Sequence, residues 1–219
     1  MSDPPPIAVT QPSLAQQAHE LLEQRLVTLQ LAPGALISEK ELVERLGIGR
    51  TPVREAIQRL SAAGMLQVLP RKGLLVAPMR RSELLQVIEV RRVLERLMVV
   101  KATERATAQQ RRALGRLAAR LEAAQSDLND FFRLDRRLDR LLGAACNNAY
   151  LARALGAMQS QCRRLWYSHR ETLNLPRSAR LHGALAQAVS DGDRSGAIRA
   201  VNEIIAILES LVGGLDTLS

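Results

Sequence analysis

The chain has 219 residues and a formal net charge of +9, with 47% hydrophobic, 24% charged and 2% aromatic residues. This length holds one large or two modest domains, and the composition is ordinary for a soluble globular protein with an aliphatic core. Its two cysteines, Cys146 and Cys162, form no C-x-x-C pair and no Cys/His cluster, which argues against a zinc knuckle and a disulfide framework and fits a reducing cytoplasm.

The N-terminal segment MSDPPPIAVTQP is rich in proline and lacks the basic-then-apolar pattern of a signal peptide. We expect residues 1–12 to form a disordered tail. From Ser13 the pattern LAQQAHELLEQRLVTL predicts a helix that ends at Pro33-Gly34. His19 lies on this helix with no His or Cys close in sequence, which favours a packed or exposed histidine over a metal ligand.

A first short helix is predicted over residues 39–46. Ser38 and Glu41 form the S-x-x-E arrangement in which each side chain satisfies a backbone donor of the first turn. Gly47 provides the left-handed residue that ends the helix.

A second short helix follows, with Thr51 as its expected N-cap, Pro52 at its first position and its end at about Ala63. A buried face is predicted from the i, i+3, i+4, i+7 spacing of Val53, Ala56, Ile57 and Leu60. Arg50 and Arg54 then point outward, where a guanidinium can reach guanine O6 and N7 or phosphate oxygens. By residue type alone, the same arginines also fit a solvated helix face.

Two apolar, strand-like runs come next, at 65–69 and 74–77. Between them, Pro70-Arg71-Lys72-Gly73 predicts a turn with two cations at its tip, which suits a DNA minor groove. Residues 50–81 hold seven Lys or Arg against one acid. Such a concentration of positive charge is typical of a nucleic-acid binder.

The whole stretch resembles the DNA-binding domain of the GntR family of bacterial transcription regulators. That family has the pattern E-x-E-L-x-x-x-L-G-[VI]-[ST]-R-T-P-V-R-E-A-L followed by a wing R-x-G-x-x-V; here residues 39–57 read EKELVERLGIGRTPVREAI and residues 71–76 read RKGLLV. The resemblance implies a winged helix-turn-helix over residues 13–78. Gly49 stands where the family usually has Ser or Thr, so one hydroxyl contact to phosphate is lost. The DNA contacts that the resemblance implies come from Lys40, Arg50, Thr51, Arg54, Arg71, Lys72 and Gly73.

After a short linker at residues 78–81, Ser82 is the expected cap of the next helix, and the domain boundary is predicted there. The remaining chain, residues 82–219, keeps a helical period of apolar residues. Six helices are predicted, at about 82–105, 107–124, 127–146, 148–172, 176–190 and 193–213. The predicted fold class is therefore all-α with a small β wing: an N-terminal winged helix-turn-helix and a C-terminal antiparallel helical bundle.

This second half resembles the FCD effector domain of the FadR subfamily of GntR regulators, and six helices favour the VanR-like branch. The motifs are Arg91-x-x-Leu94-Glu95, Leu134-Asp135-x-x-x-Asp139-x-x-Leu142 ending in Asn147, and His182-x-x-Leu185 followed by Gly192-Asp193. The resemblance implies an effector site formed by Arg91, Asp135, Asp139 and His182.

The residues by themselves leave two interpretations of this site open. Asp135 and Asp139, four apart on one helix, either pair with neighbouring surface arginines or share a cation or hydrogen-bond donors inside the bundle. Arg91 is either solvated or faces the pocket, where it could bind a carboxylate through two hydrogen bonds. Trp166, Tyr167 and His169 could line a cavity, but aromatic residues in a helix are more often packing residues.

The sequence departs from the family at the metal site. Metal-binding members have an Asp, a His four residues later and two further histidines on the last two helices; here the last three positions hold Asp139, His182 and Ile204. With one imidazole of three, we expect no cofactor and no tightly bound zinc or nickel. Asp135, Asp139 and His182 could at most hold a harder divalent metal such as manganese or magnesium.

Two functions of different classes follow. The first is a cytoplasmic, ligand-responsive transcription regulator, a repressor that binds a palindromic operator as a homodimer and is controlled by a small metabolite such as an organic acid. The second is a metal-dependent enzyme in the helical domain. No nucleophile-base pair, phosphate-binding glycine loop or full metal-ligand set supports the enzyme, so the regulator is the prediction.

Overall fold

The computed structural model describes residues 13–214, which form nine helices and three strands in two compact units. The described part of the first unit comprises residues 13–26 and 30–77, and that of the second comprises 27–29 and 78–214. The predicted fold class, all-α with a small β wing, is confirmed. The predicted disordered tail lies outside the described residues, as do the last five residues of the chain.

The first unit is built from three helices and a small sheet. In chain order its elements are α1 (Leu14–Val27), β1 (Leu36–Ile37), α2 (Glu39–Leu46), α3 (Arg50–Ala62), β2 (Leu66–Leu69) and β3 (Gly73–Val76). Helix α2 has the predicted bounds because its ends are locally encoded. The Ser38 hydroxyl accepts the Glu41 N–H at 3.1 Å, and Gly47 ends the helix at φ 63°.

Helix α3 begins earlier than predicted. Its N-cap is Gly49, which makes no side-chain capping bond, so the assignment of Thr51 as N-cap was wrong. The backbone is already helical at Arg50, because the Gly49 carbonyl accepts the N–H of Val53 at 3.3 Å and closes the first turn. Pro52 is the third residue of α3 and not the first, as was predicted. It is still compatible with the helix, since a proline in the first turn lacks only an N–H that has no partner within the helix.

The three strands form an antiparallel sheet in the order β1-β3-β2. Strand β1 was not predicted, because two residues are too few to show an alternating pattern. Its approach to the wing explains Gly73, which has φ 102° and where an added Cβ would lie 2.9 Å from the Ile37 carbonyl oxygen. Glycine is therefore required at this position by both the backbone conformation and the space available.

The second unit is a bundle of six helices, as predicted. They are α4 (Arg81–Arg105), α5 (Ala108–Ala123), α6 (Leu128–Ala145), α7 (Ala149–Ser168), α8 (Leu175–Asp191) and α9 (Arg194–Gly213). Ser82 is not the cap of α4. The extended residue before the helix is Arg80, whose carbonyl already accepts the Leu84 N–H at 3.0 Å.

Helix α6 shows how the bundle places charge next to its core. Its buried face carries Phe131, Leu134, Leu138 and Leu142, and Asp135 lies on the same side with 8% of its surface exposed. The aliphatic core of the six helices therefore surrounds a small number of acidic and basic side chains. Among residues 13–214, no helix combines the length and apolar character needed to cross a membrane.

Candidate nucleic-acid interface and effector site

Helix α3 separates an apolar side from a polar side. Its predicted buried residues, Val53, Ala56, Ile57 and Leu60, are all buried, and Arg50, Thr51 and Arg54 are exposed. Because Thr51 does not cap the helix, its hydroxyl remains available to an outside partner. Arg50, Thr51 and Arg54 thus place two guanidinium groups and one hydroxyl on the first half of the outward side, which also carries Glu55, Gln58 and Arg59 further along.

Two of the predicted DNA-contacting cations lie next to acids of α2. Lys40 is 79% exposed, and its Nζ lies 3.8 Å from the Glu44 carboxylate one turn further along the helix. Arg54 Nε donates to both carboxylate oxygens of Glu39, at 2.9 Å each. Sequence analysis did not identify Glu39 as a functional residue, because the two side chains are 15 positions apart.

The other predicted contacts lie at the turn of the wing. Arg71 and Lys72 are exposed between β2 and β3, and Arg71 has a left-handed backbone at φ 64°. Across residues 13–214, Arg50, Arg71 and Lys72 have no acidic partner in the structure. Their positive charge is therefore not neutralised locally, which favours contact with phosphate groups.

All of the predicted effector residues line one cavity in the six-helix bundle. The space open to the centre of a water molecule is about 10 Å³, which is room for about one water. Aliphatic side chains form most of its wall, and polar side chains form the rest. The cavity is lined by Arg91, Glu95, Met98, Val99, Asp135, Leu138, Asp139, Leu142, His182, Leu185, Val201 and Ile204.

Arg163 on α7 binds both acids of α6. Its Nε donates to Asp135 Oδ2 at 3.0 Å, and its Nη2 donates to Asp139 Oδ2 at 2.7 Å. Gln159, one turn earlier on α7, donates to the other oxygen of Asp139 at 2.8 Å. Of the two interpretations, the shared internal cation is therefore the correct one: the acids do not pair with surface arginines of their own helix.

The other two predicted residues also have partners inside the bundle. Arg91 is bound to Glu95 on the same helix at 2.8 Å, and both side chains are buried. His182 Nδ1 donates to the Ser178 carbonyl oxygen at 2.8 Å, which directs Nε2 toward Asp135. The Nε2 to Oδ1 distance of 3.5 Å is longer than a direct hydrogen bond.

Aromatic rings hold the His182 side chain in place. The Trp166 and Phe131 rings contact the imidazole edge-on, with centroids 5.5 Å and 5.1 Å away. Trp166 is therefore a packing residue behind the cavity, as residue type suggested. His169 does not line the cavity; its Nδ1 lies 3.0 Å from the Leu165 carbonyl oxygen.

Burial and neighbouring charge change the acidity of these groups. Burial, followed by the charge of Asp135, raises the pKa of Asp139 to about 7, and these two effects outweigh Arg163 and Arg91, which act in the opposite direction. Burial acts against the charge on Arg91, but the Glu95 carboxylate and other neighbours raise the pKa of Arg91 above its ordinary value. Burial also raises the pKa of the Cys162 thiol, which lies close to Arg91.

These residues do not fit a divalent metal. The Arg163 guanidinium already binds Asp135 and Asp139, so an added metal would be repelled by a fixed cation and would compete for the same oxygens. Ile204 offers no donor atom. Within residues 13–214, no group of three or more His, Cys, Asp or Glu side chains is placed to hold a metal ion. The hard-metal site considered at Asp135, Asp139 and His182 is therefore not supported.

Fold and site together define a winged helix-turn-helix protein whose second unit is a six-helix bundle with a small charged cavity. Residues 14–76 match the model for bacterial regulatory proteins of the gntR family, and residues 86–206 match that for the FCD domain. The chain belongs to the gntR family of bacterial regulatory proteins and carries an FCD domain. This confirms the family and domain resemblance found in the sequence.

Individual relatives agree with this assignment. The transcriptional repressor RspR of Escherichia coli is 31% identical over 135 residues, 61% of this chain and 59% of RspR. The Nta operon transcriptional regulator of Aminobacter aminovorans is 32% identical over 127 residues, 57% of this chain and 60% of the relative. The aligned segments thus span about three fifths of these relatives' lengths. The solved structure of E. coli McbR/YncC has a TM-score of 0.79 and 25% identity, covering 94% of this chain and 99% of McbR/YncC.

The raised pKa of Asp139 predicts a pH-dependent effect of Asp139→Asn. The carboxyl group of an aspartate has a pKa of about 3.9 in the unfolded chain, so Asp139 binds its proton more tightly in the folded protein. The contribution of this proton to the free energy of unfolding is therefore lost as pH rises from about 4 to about 7. Asparagine mimics the protonated form. We therefore expect the variant to gain free energy of unfolding relative to the wild type between pH 5 and pH 8, measured by urea denaturation.

Asp191→Asn, which removes an exposed carboxylate from the same bundle, is the control. If instead the free energy of unfolding of the wild type rises relative to that of Asp139→Asn as pH rises, the ion pair with Arg163 outweighs the effect of burial.

Proposed function

We propose that the chain is a DNA-binding transcription regulator whose residues 13–78 bind a palindromic operator and whose residues 82–219 bind an effector and a second copy of the chain. The observation that supports it best is the exposed set of cations on α3 and the wing, placed opposite the buried face of α3. RspR, a relative described as a transcriptional repressor, supports repression as the direction of control. The six helices of the bundle support the VanR-like branch of the FadR subfamily.

We propose the outward residues Lys40, Arg50, Thr51, Arg54, Arg71, Lys72 and Gly73 as the DNA interface. Arg50 and Arg54 lie on the helix that would enter the major groove, where a guanidinium binds guanine through two hydrogen bonds. Arg71 and Lys72 suit the narrower minor groove or the phosphates beside it. Gly73 contributes through the shape of the wing, because a side chain there would collide with Ile37.

An exposed apolar stripe on α4 supports a homodimer. Leu85, Val90, Val93 and Leu97 are 44%, 45%, 65% and 44% exposed, and the last three follow i, i+3, i+7 spacing on one side of the helix. A row of exposed apolar side chains on one side of a helix is typical of a protein interface. A two-fold arrangement of two DNA-binding units would match a palindromic operator.

The cavity supports an effector that is a small organic acid bound to Arg91. Glu95 now holds that guanidinium, so a carboxylate ligand would replace or join Glu95 as its partner. Three carboxylates line the cavity, and they repel an anion. Protonation of Asp139 removes one of these charges, so acid binding is coupled to proton uptake. Because the free space is about 10 Å³, side chains of the wall must move when the effector enters.

DNA binding tests the interface directly. Arg54→Ala is expected to cost roughly 1–3 kcal/mol on a duplex selected from a random library and to relax base preference at one position. Lys72→Ala is expected to weaken all duplexes similarly and to lower the slope of log affinity against log salt by about 1. Fluorescence anisotropy over a salt series measures both. Full affinity for the selected duplex in folded Arg54→Ala protein would contradict the assignment.

Self-association tests the α4 stripe. Val93→Glu places a charge at the most exposed residue of the stripe, where it cannot disturb the core, and should turn a dimer into a monomer in sedimentation of the full chain. Gln109→Glu adds the same charge to an exposed position of α5 and serves as control. A wild-type chain that is monomeric at micromolar concentration would contradict the dimer.

Thermal shift tests the effector class. Carboxylic acids of two to six carbons should raise the unfolding midpoint more at pH 6 than at pH 8, because Asp139 is protonated at the lower pH. The paired variant Arg91→Gln with Glu95→Gln removes both buried charges together and should abolish the shift. Stabilisation by amines of the same length, with none by acids, would show that the cavity selects cations.

A further inference from the structure

The Glu39–Arg54 contact joins the two helices of the DNA-binding unit at its exposed side. Arg54 Nε donates to both oxygens of the Glu39 carboxylate at 2.9 Å, with the arginine 65% and the glutamate 33% exposed. Glu39 is the first residue of α2, and its backbone is fixed by the Ser38 cap. The carboxylate is therefore held in a defined place from which it can orient the longer and more mobile arginine.

We infer that Glu39 is a positioning residue for DNA sequence recognition: it holds Arg54 so that the outer edge of the guanidinium faces the bases. This inference rests on the proposed DNA-binding function. A guanidinium has five N–H donors, one on Nε and four on the two terminal nitrogens. Glu39 takes only the Nε donor, and across the described residues nothing accepts from the terminal nitrogens of Arg54. Those four donors are the ones that can bind guanine through two hydrogen bonds.

Restricting the arginine before binding lowers the entropy lost on binding. A free arginine side chain has many accessible rotamers and therefore high conformational entropy. When Glu39 holds the Nε edge, part of that freedom is lost before DNA arrives, and less remains to be lost in the complex. Glu39 therefore favours the complex in which Arg54 reaches a base edge in this one orientation.

The charge of Glu39 acts in the same direction. A carboxylate on a surface that faces DNA repels phosphate groups whatever the base sequence is, so it lowers non-specific affinity. Both effects widen the difference between a cognate and a non-cognate duplex. The contact contributes little to the stability of the fold, because exposed ion pairs are weak and the cap of α2 is made by Ser38.

The test compares two duplexes for the full chain: one selected by the wild type from a random library, and one of the same composition in scrambled order. For Glu39→Gln, the ratio of the two affinities should fall roughly 10-fold, within the range expected for one base contact. Affinity for the scrambled duplex should rise in the same variant. Glu39→Asp keeps the charge but shortens the side chain, so it should lower affinity for the selected duplex without raising affinity for the scrambled one.

The control is Glu44→Gln, which removes the same charge from an exposed position of α2 that pairs with Lys40 and does not touch Arg54. Its affinity ratio should fall less than that of Glu39→Gln. A double-mutant cycle decides whether Glu39 acts through Arg54: in the Arg54→Ala background, Glu39→Gln should no longer lower the ratio. An unchanged ratio for Glu39→Gln in a protein where Arg54→Ala does lose affinity overturns this inference and leaves the proposed function standing. If Arg54→Ala itself has no effect, the DNA interface assignment fails as well.

Discussion

The bundle depends on one buried guanidinium. Asp135 and Asp139 lie one turn apart on α6 and would repel each other in an aliphatic interior, and Arg163 from α7 binds both. Removing the shared cation of such a buried group typically costs about 3–5 kcal/mol, because both acids then lose their partner. The arrangement therefore links the packing of α6 and α7 to the charge of the cavity. It also fixes what the cavity can accept, since the position between the two acids is already taken by a cation of the protein.

The DNA-binding unit uses charge in a different way. Its cations are exposed, so their intramolecular pairs contribute little to stability and remain available to an outside partner. Arg50, Arg71 and Lys72 supply positive charge without an acidic neighbour among the described residues, whereas Arg54 is held by Glu39. In the proposed DNA interface, general attraction to phosphate and selection of bases would therefore come from different residues of one small surface. The fold supplies this division by burying one side of α3 and by placing the first residue of α2 beside the other.

Local signals in the sequence predicted most of the fold. The Ser38 cap and Gly47 defined α2 correctly because both act within one turn, and the helical period identified all six helices of the bundle. Thr51 was misassigned, since two residues before it the backbone conformation of Gly49 had already started α3. The sequence left open whether Asp135 and Asp139 pair with surface arginines or share a partner inside the bundle. It could not identify Arg163, which is one of 31 Lys and Arg residues and meets these acids only through the packing of α7 on α6.

The cation that binds Asp135 and Asp139 in the bundle is Arg163 and not a metal. Elemental analysis of the full chain, purified without a histidine tag and without chelator, tests it most directly. The structure predicts no stoichiometric zinc, nickel or manganese, because the two carboxylates are already bound and Ile204 provides no ligand atom. Nearly one equivalent of metal per chain that is lost on Asp135→Ala would contradict the claim.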